Sequence, residues 1–519
     1  MQTELKFDNH FTVQLPADSI TTNHPRQLSK ALFARVQPTP VSSPYRVSFS
    51  EEVGELIGLS EEDFHSAEFV SVFAGNKPLN GMDPHATCYG GHQFGQWAGQ
   101  LGDGRAINLG EVATPNGHLM LQLKGAGPTP FSRTADGLAV MRSSIREFLC
   151  SEAMYHLGVP TTRALSLIGT GENVVRDMLY DGHPTEEPGA VVCRVSSSFV
   201  RFGHFQMLAA REEFDLLKRF TEFIITREFP HLVPPGDWRT SHYLDFFEEV
   251  CERTADLMVH WMRIGFVHGV MNTDNMSIIG ETIDYGPYGW LEDFDPNWTP
   301  NTTDAEQRRY RYGQQPGIAQ WNLMQLANAL LPLINDPKPL EEGLSRYAGH
   351  YEQRWEKMMA AKLGLTQFNK SLIEDLLQLL ASVETDMTIF YRRLADTDLN
   401  ASNRYEQLTE AYYVDAQLTP KHREQTEAWL SAYETTLQHQ GIADRKQGMN
   451  RTNPKYVLRN YIAQLAIDDA HEGDFGTVKK LLSVLRHPYD EQPEYEVYAH
   501  KRPEWARTRV GCSMLSCSS

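Results

Sequence analysis

The sequence contains one loop, residues 268–275, whose residue types suit phosphate or nucleotide transfer. Protein kinases read H-R-D-x-x-x-x-N at their catalytic loop, and their small-molecule relatives read H-G-D-x-x-x-x-N. His268 and Asn275 occupy the first and last positions of that pattern, but Val270 stands where the catalytic aspartate is required. The loop therefore predicts either an inactive kinase or a different reaction that uses the same phosphate-holding parts.

Two side chains with oxygen ligands follow in the order of a kinase metal site. Mg²⁺ prefers hard oxygen ligands and usually takes only one or two from the protein, while phosphates and water complete its shell. Asn275 precedes a hairpin predicted over residues 276–284, around Gly280 and Glu281, and Asp284 ends it. Asp284-Tyr285-Gly286 resembles the D-F-G turn of kinases. The alternative is an ordinary turn aspartate before a glycine.

A lysine and a glutamate further upstream are candidates for holding a triphosphate. Phosphoryl and nucleotidyl transfer need a fixed cation, which kinases supply with a strand lysine paired to a helix glutamate. Lys124 ends a predicted strand, and Glu147 lies 23 residues later on the next predicted helix. The alternative is a pair of unrelated surface charges, since exposed ion pairs contribute only about 0–1 kcal/mol.

Glycines and arginines add further candidates for phosphate binding. Gly102 and Gly104 precede a strand together with Arg105, and glycine lets backbone N–H groups approach a phosphate. No helix follows them, so a dinucleotide-binding unit is excluded. Arg194 and Arg201 carry guanidinium groups that suit a buried phosphate, although structural salt bridges are the alternative.

The predicted strands and helices that carry these residues are distributed unevenly along the chain. Alternating apolar residues predict a hairpin over residues 105–124 and a strand over 189–196. Helical periodicity predicts helices over 141–158, 244–265 and 321–334. We expect Ser143 or Ser144 to cap the first of these helices and Gly158 to end it.

This order predicts an α+β fold with two lobes, like a protein kinase. The first unit, residues 1–195, would hold an irregular extension over residues 1–80 and a β-rich lobe with one key helix. The second unit, residues 196–519, would be mostly helical and would end in an extension with a cysteine-containing tail.

Composition limits the classes of partner. The 519 residues include 48 basic and 67 acidic ones, a formal charge of −19, which argues against a nucleic-acid-binding role. No apolar run reaches the roughly 20 residues needed to span a bilayer, and the first twenty residues resemble no targeting segment. We therefore expect a cytoplasmic protein without a membrane partner. The six cysteines form no C-x-x-C pair and no zinc pattern, so those at 88, 150, 193 and 251 are expected in the core.

Long motifs throughout the chain resemble the selenoprotein O family, called YdiU in bacteria. The matching segments are residues 102–105 (GDGR), 123–127 (LKGAG), 145–154 (IREFLCSEAM), 201–205 (RFGHF), 268–277 (HGVMNTDNMS), 284–287 (DYGP), 449–461 (MNRTNPKYVLRNY) and the Cys-Ser-Ser end. The resemblance implies a kinase-like fold that transfers AMP to Ser, Thr or Tyr hydroxyls of proteins. Some bacterial members are associated with UMP transfer from UTP and with Mn²⁺ in place of Mg²⁺.

The resemblance also implies roles for individual residues and a nucleotide bound in reverse, with its α-phosphorus facing the acceptor. The implied contacts with ATP are Gly102, Gly104, Arg105, Lys124, Asp136, Gly137, Arg194, Arg201 and Asp284, with Glu147 orienting Lys124. Asn275 and Asp284 would hold the metal, and Asp274 would be the catalytic base that the loop lacks at Val270. A conventional kinase and an inactive nucleotide-binding scaffold remain the alternatives.

The tail departs from the family pattern. Members of the family commonly end with a cysteine pair, or with cysteine and selenocysteine, at C-x-x-C spacing before Ser-Ser. Here Cys517 has Met514 three residues before it, and Cys512 lies five residues before it. The segment after Asp284 contains no cysteine, so we expect Cys517 to be a free thiol or to form mixed disulfides with partners.

Overall fold

The computed structural model describes residues 1–178, 182–234 and 236–516. Its strands are β1 (Phe33–Arg35), β2 (Tyr45–Phe49), β3 (His85–Thr87), β4 (Gly90–Gln93), β5 (Gln96–Gln100), β6 (Ala106–Thr114), β7 (Gly117–Lys124), β8 (Arg163–Arg176), β9 (Thr185–Ser196), β10 (Phe266–Val267) and β11 (Gly289–Trp290). Its helices are α1 (His10–Gln14), α2 (Glu51–Leu56), α3 (Glu61–His65), α4 (Ala67–Phe73), α5 (Met141–His156), α6 (Phe202–Ala210), α7 (Phe214–Glu228), α8 (Thr240–Ile264), α9 (Gln315–Ile334), α10 (Pro337–Lys362), α11 (Lys370–Ser382), α12 (Met387–Asp396), α13 (Pro420–His439), α14 (Lys446–Thr452), α15 (Asn460–His471) and α16 (Gly476–Leu485). The predicted α+β class is confirmed.

The main sheet is antiparallel, and its strands all come from the first 200 residues of the chain. Among the described residues it has seven strands in the order β1-β3-β6-β7-β9-β8-β2. Strands β1 and β2, from the region expected to be irregular, form its two edges, so that expectation is wrong for these segments. The predicted hairpin is confirmed as β6 and β7, with Thr114 opposite Gly117 and Ala106 opposite Lys124.

Strand β9 confirms and extends the strand predicted over residues 189–196. It pairs with β7 so that Arg194 faces Gln122 and Val192 faces Lys124. Lys124 therefore ends a strand that has neighbours on both sides. This placement buries Lys124.

Helix α5 confirms the prediction over residues 141–158 but begins differently. Its N-cap is Val140, and the Ser143 hydroxyl donates to the Val140 carbonyl from inside the first turn. The expected serine caps are therefore wrong, because the helix starts two residues before the first of them. Gly158 follows the helix with a φ of +73°, in the left-handed region that favours glycine.

The helical part confirms both helices predicted there, as α8 and α9. One hydrophobic core joins α5, α8 and α9 and includes Phe148, Trp261 and Leu323. A separate core, which includes Met359 and Trp429, lies among α10 to α13. In the described part of the chain, no helix is long and apolar enough to cross a membrane.

The hairpin predicted over residues 276–284 is not formed. Its two sides pair with different neighbours: Ser277 with Arg201, and Thr282 with Thr161. The Ile278 N–H donates to the Val200 carbonyl at 3.0 Å, and the Thr282 N–H donates to the Pro160 carbonyl at 2.8 Å. The backbone groups that would have closed a hairpin are thus used to attach this loop to the rest of the protein.

The cysteines expected in the core are there. Cys88, Cys150, Cys193 and Cys251 are buried free thiols. Cys512 is also buried, and burial raises the pKa of its thiol to about 11. Cys517 lies outside the described residues.

The tail packs on the segment that follows Asp284. The Thr302 N–H donates to the Leu515 carbonyl at 2.7 Å, and the Leu515 N–H donates to the Pro300 carbonyl at 3.1 Å. The contact between tail and segment is therefore made by backbone hydrogen bonds.

Candidate functional site

A cavity of about 780 Å³ opens where the ends of the central strands meet the loop after β10. Every nucleotide, metal and catalytic residue predicted from the sequence lines it, apart from Glu147, which lies behind Lys124. The predicted lining residues are Gly102, Gly104, Arg105, Lys124, Asp136, Gly137, Arg194, Arg201, Asp274, Asn275 and Asp284. The structure thus brings together residues from distant parts of the sequence.

Lys124 and Glu147 form a buried ion pair at the wall of the cavity. The Lys124 Nζ lies 2.7 Å from the Glu147 Oε2, and the two residues are 8% and 2% exposed. The alternative of two unrelated surface charges is therefore wrong. Burial lowers the pKa of Lys124 to about 8, against the opposing effect of Glu147.

The two arginines converge on Asp284. The Arg194 Nη1 donates to the Asp284 Oδ1 at 2.7 Å and to the Glu147 Oε1 at 3.1 Å. The Arg201 guanidinium bonds the Asp284 carboxylate and donates to the main-chain carbonyl of Asp274 at 2.9 Å. Although burial opposes ionisation, the two arginines hold the pKa of Asp284 far below its usual range. The arginines therefore make structural ion pairs, and the Nε of each has no partner among the described residues.

Asp284 is held in an unusual backbone conformation. Its φ is +59°, which costs a residue other than glycine roughly 1–2 kcal/mol. The His268 Nε2 donates to the carbonyl of Ile283 at 2.9 Å, and its ring stacks on Trp261 at 5.3 Å. The histidine at the start of the loop therefore fixes the residue that precedes Asp284.

Asp274 takes a position that the sequence pattern does not contain. It lies in a 3-10 turn, Thr273–Asn275, and is only 7% exposed. Its Oδ2 accepts a hydrogen bond from the Gln93 Nε2 at 3.1 Å, while its Oδ1 has no partner within the described ranges. Burial raises the pKa of Asp274 to about 6, and the negative charge of Asp284 adds to this rise. A carboxylate with one oxygen unsatisfied is suited to receive a proton.

Asn275 lines the cavity and uses its amide N–H within the loop. Its Nδ2 donates to the Val270 carbonyl at 2.9 Å, and its Oδ1 accepts no hydrogen bond from the described residues. Val270 itself lines the cavity, so an apolar side chain occupies the position of the missing aspartate. An oxygen without a partner is what a metal ligand at Asn275 requires.

Two of the predicted glycines, Gly102 and Gly137, lie at positions of the cavity wall that leave no room for a side chain. A Cβ on Gly102, whose φ is +117°, would lie 2.6 Å from the Phe131 ring. A Cβ on Gly137 would lie 2.1 Å from the Gly127 carbonyl oxygen. Substitution at either position would push the loop into the cavity or away from it.

Sequence reasoning missed several lining residues. Arg176 makes two hydrogen bonds to Asp136, both of 2.8 Å, and Tyr89 lies under the Arg201 guanidinium at 4.7 Å. Gln93 belongs to a hairpin of β4 and β5 whose central residues, Phe94 and Gly95, have φ of +50° and +84°. Gly95 could have indicated this turn from the sequence, but phenylalanine at the other central position is atypical of a two-residue hairpin turn.

Three acidic or histidine side chains outside the cavity lie close enough together to suggest a metal site. Among the described residues, Glu52, Glu152 and His156 form this group. Arg163 makes two hydrogen bonds to Glu152, at 2.8 and 2.7 Å, and lies 3.3 Å from Glu52. A cation of the protein therefore already neutralises these carboxylates, and the group lies outside the cavity.

The loop between Asn275 and Asp284 contains a pH-sensitive glutamate. The Glu281 carboxylate accepts a hydrogen bond from the Ser196 hydroxyl at 2.7 Å, and burial raises its pKa from 4.5 to about 7. A raised pKa means that the folded chain binds the proton more tightly, so the contribution of Glu281 to stability falls as pH rises from 4.5 to 7. Glu281→Gln is therefore expected to stabilise the chain by about 1–2 kcal/mol at pH 8 and very little at pH 4.5.

Urea unfolding at both pH values measures this difference. The matched control is Glu472→Gln, at an exposed position. If Glu281→Gln changed the free energy of unfolding equally at pH 4.5 and pH 8, the raised pKa of Glu281 would be contradicted.

Comparisons with known proteins agree with the contents of the cavity. A family model described as "Protein adenylyltransferase SelO" matches residues 19–486. A protein of Rhodopirellula baltica described as "Protein nucleotidyltransferase YdiU" is 57% identical over 540 residues, covering 100% of both chains. Proteins of the same description from Azoarcus sp. and Flavobacterium johnsoniae are 57% and 53% identical over 521 and 522 residues, each covering 99% of both chains.

Proposed function

We propose, because this chain belongs to the SelO family of protein nucleotidyltransferases, that it transfers AMP from ATP to Ser, Thr or Tyr hydroxyls of proteins. Pyrophosphate is the second product, and UTP is the alternative donor, with UMP transferred. The same proposal includes a cytoplasmic location and two kinase-like lobes, residues 1–195 and 196–519.

One observation supports this reaction above the others, the position of Asp274. A conventional kinase needs its base at residue 270, where this chain has valine. Asp274 instead offers a buried carboxylate in the lining of a cavity that also holds Lys124 and two arginines, and its Oδ1 has no partner in the described part of the chain. A base that has moved along the loop suits an acceptor that approaches a different phosphorus.

In the proposed step, the acceptor hydroxyl oxygen forms a bond to the α-phosphorus and the bond from that phosphorus to the bridging oxygen of pyrophosphate breaks. Asp274 takes the hydroxyl proton. Lys124, Arg194 and Arg201 bind the β- and γ-phosphates and stabilise the charge that develops on pyrophosphate. Gly102, Gly104, Arg105, Asp136 and Gly137 enclose the rest of the nucleotide.

Asn275 and Asp284 would hold Mg²⁺ or Mn²⁺. Their fit to a hard cation follows from the Asn275 Oδ1, which accepts no hydrogen bond from the residues that the structure describes, and from the carboxylate of Asp284 at the same cavity. When bound, such an ion neutralises phosphate charge.

Labelled nucleotide tests the proposal directly. The chain is incubated with Mg²⁺ and with ATP labelled at the α- or the γ-phosphate, and a heat-inactivated cell extract serves as mixed acceptor. Label from the α-position is expected on protein, and label from the γ-position only on released pyrophosphate. Transfer from the γ-position alone would identify a conventional kinase, and ATP binding without any transfer would identify an inactive scaffold. Labelled UTP in parallel decides the donor.

Arg194→Ala is expected to weaken ATP binding about tenfold or more and AMP binding less than about twofold. The fold should tolerate the change, because Glu147 keeps Lys124 and Asp284 keeps Arg201 as partners. Calorimetric titration with both nucleotides measures the difference, and Arg354→Ala, at an exposed position, is the control. Equal loss for ATP and AMP would contradict a terminal phosphate at Arg194.

A further inference from the structure

The β4–β5 hairpin lies directly against the loop that carries Asp274. The His92 N–H donates to the Thr273 hydroxyl at 2.7 Å, and the Phe94 N–H donates to the Asn272 Oδ1 at 3.1 Å. The Tyr310 hydroxyl donates to the same Asn272 oxygen at 2.6 Å. The hairpin is therefore fastened to the residues immediately before Asp274.

Two residues of this hairpin contact the Asp274 side chain itself. The Gln93 Nε2 donates to the Oδ2 at 3.1 Å. On Gly91, a Cβ would lie 2.5 Å from the Oδ1 and 2.9 Å from the Cβ of Asp274. The carboxylate therefore has a hydrogen-bond donor on one side and a wall without a side chain on the other.

The opposite side of the hairpin packs closely against helix α6. A Cβ on Gly203, in the first turn of α6, would lie 2.1 Å from the Gly90 carbonyl oxygen. A Cβ on Gly90 would lie 2.9 Å from the sulfur of Met207, on the same helix. The hairpin is thus held between α6 and the Asp274 loop, which leaves it little freedom to move away from the carboxylate.

Asp274 needs such a restraint because a competing partner lies beside it. The Arg201 guanidinium already bonds the main-chain carbonyl of Asp274 at 2.9 Å. A carboxylate free to rotate would be attracted to that cation, and the ion pair would occupy both the base and a phosphate-binding arginine. The Gln93 amide gives the carboxylate a neutral partner and keeps the two groups apart.

We propose that Gln93 is a positioning residue for the transfer reaction, which holds the Asp274 carboxylate in its reactive orientation with Gly91 as the opposing wall. This inference rests on the proposed function, in which Asp274 is the base. Gln93 acts only through Asp274 and makes no covalent step of its own.

The test compares transfer kinetics of the full chain with α-labelled ATP and the mixed acceptor. Gln93→Met keeps the length of the side chain and removes its donor. Loss of one hydrogen bond to a charged group predicts a maximal rate about ten- to a hundredfold lower, with the half-saturating ATP concentration within about twofold of the parent value. Gln96→Leu, on the same hairpin at an exposed position that does not line the cavity, is the control and should behave as the parent chain.

A double variant separates positioning from general packing. If Gln93 acts through Asp274, adding Gln93→Met to Asp274→Asn should change the residual rate less than about twofold, because the two losses are not additive. Gly91→Ala, at an ordinary φ, is the second variant and should lower the maximal rate by a similar factor through displacement of the carboxylate. If Gln93→Met does not fold, an unchanged maximal rate in Gly91→Ala would overturn the proposed restraint on the carboxylate.

The outcomes separate this inference from the proposed function. An unchanged maximal rate in Gln93→Met, a loss that is due to weaker ATP binding, or additive losses in the double variant would overturn the role of Gln93. Full activity of Asp274→Asn would overturn the base, and the role of Gln93 with it.

Discussion

Asp274→Asn is expected to lower the rate of AMP transfer about a thousandfold while ATP binding stays within about twofold of the parent chain. The amide has the shape of the carboxylate but cannot accept a proton from the attacking hydroxyl. The Gln93 amide keeps its acceptor, because the side-chain oxygen of asparagine can take the place of the Oδ2. The variant should therefore fold and bind nucleotide normally.

Two measurements check this result. Transfer of label from α-labelled ATP gives the rate, and calorimetric titration gives the affinity. Asp215→Asn, at an exposed position in α7, is the matched control. Activity close to that of the parent chain would exclude Asp274 as the base, and a parallel loss of ATP binding would show a role in the nucleotide site instead.

Asp284→Asn is expected to reduce transfer at least as severely, but for a different physical reason. The Asp284 carboxylate is both a proposed metal ligand and the partner of Arg194 and Arg201. Asparagine is a weaker ligand for a hard cation, so the contribution of Mg²⁺ to ATP affinity should be lost. At the same time, the two guanidiniums become available to phosphate oxygens.

These two effects give opposite changes in ATP affinity, which makes the prediction specific. Without Mg²⁺, Asp284→Asn should bind ATP about threefold or more tightly than the parent chain, because no carboxylate competes for the arginines. Adding Mg²⁺ should not increase the affinity of this variant for ATP any further. Titrations with and without the ion measure both, and Asp215→Asn is again the control. Weaker ATP binding without Mg²⁺ would show that Asp284 organises the arginines instead of competing for them.

Local sequence patterns were enough to predict the residue types of the site and several of the elements that carry them. The β6–β7 hairpin, α5 and β9 follow from local alternation, helical periodicity and turn residues, all of which act over a few neighbouring residues. The order of Lys124, Glu147, Asn275 and Asp284 along the chain was enough to predict a nucleotide site. The resemblance to a known family added Asp274, which no residue pattern of kinases would have indicated.

The contacts that these residues make with one another could not be predicted from the sequence and depend on the packing of the whole fold. The tertiary structure buried the Lys124–Glu147 pair, placed Arg194 and Arg201 on Asp284, and attached the predicted 276–284 hairpin to other segments instead of to itself. It also brought Gln93 to Asp274, 181 residues away along the chain. Such contacts depend on how sheet and helices pack as whole units, and local periodicity carries no information about packing partners at that distance.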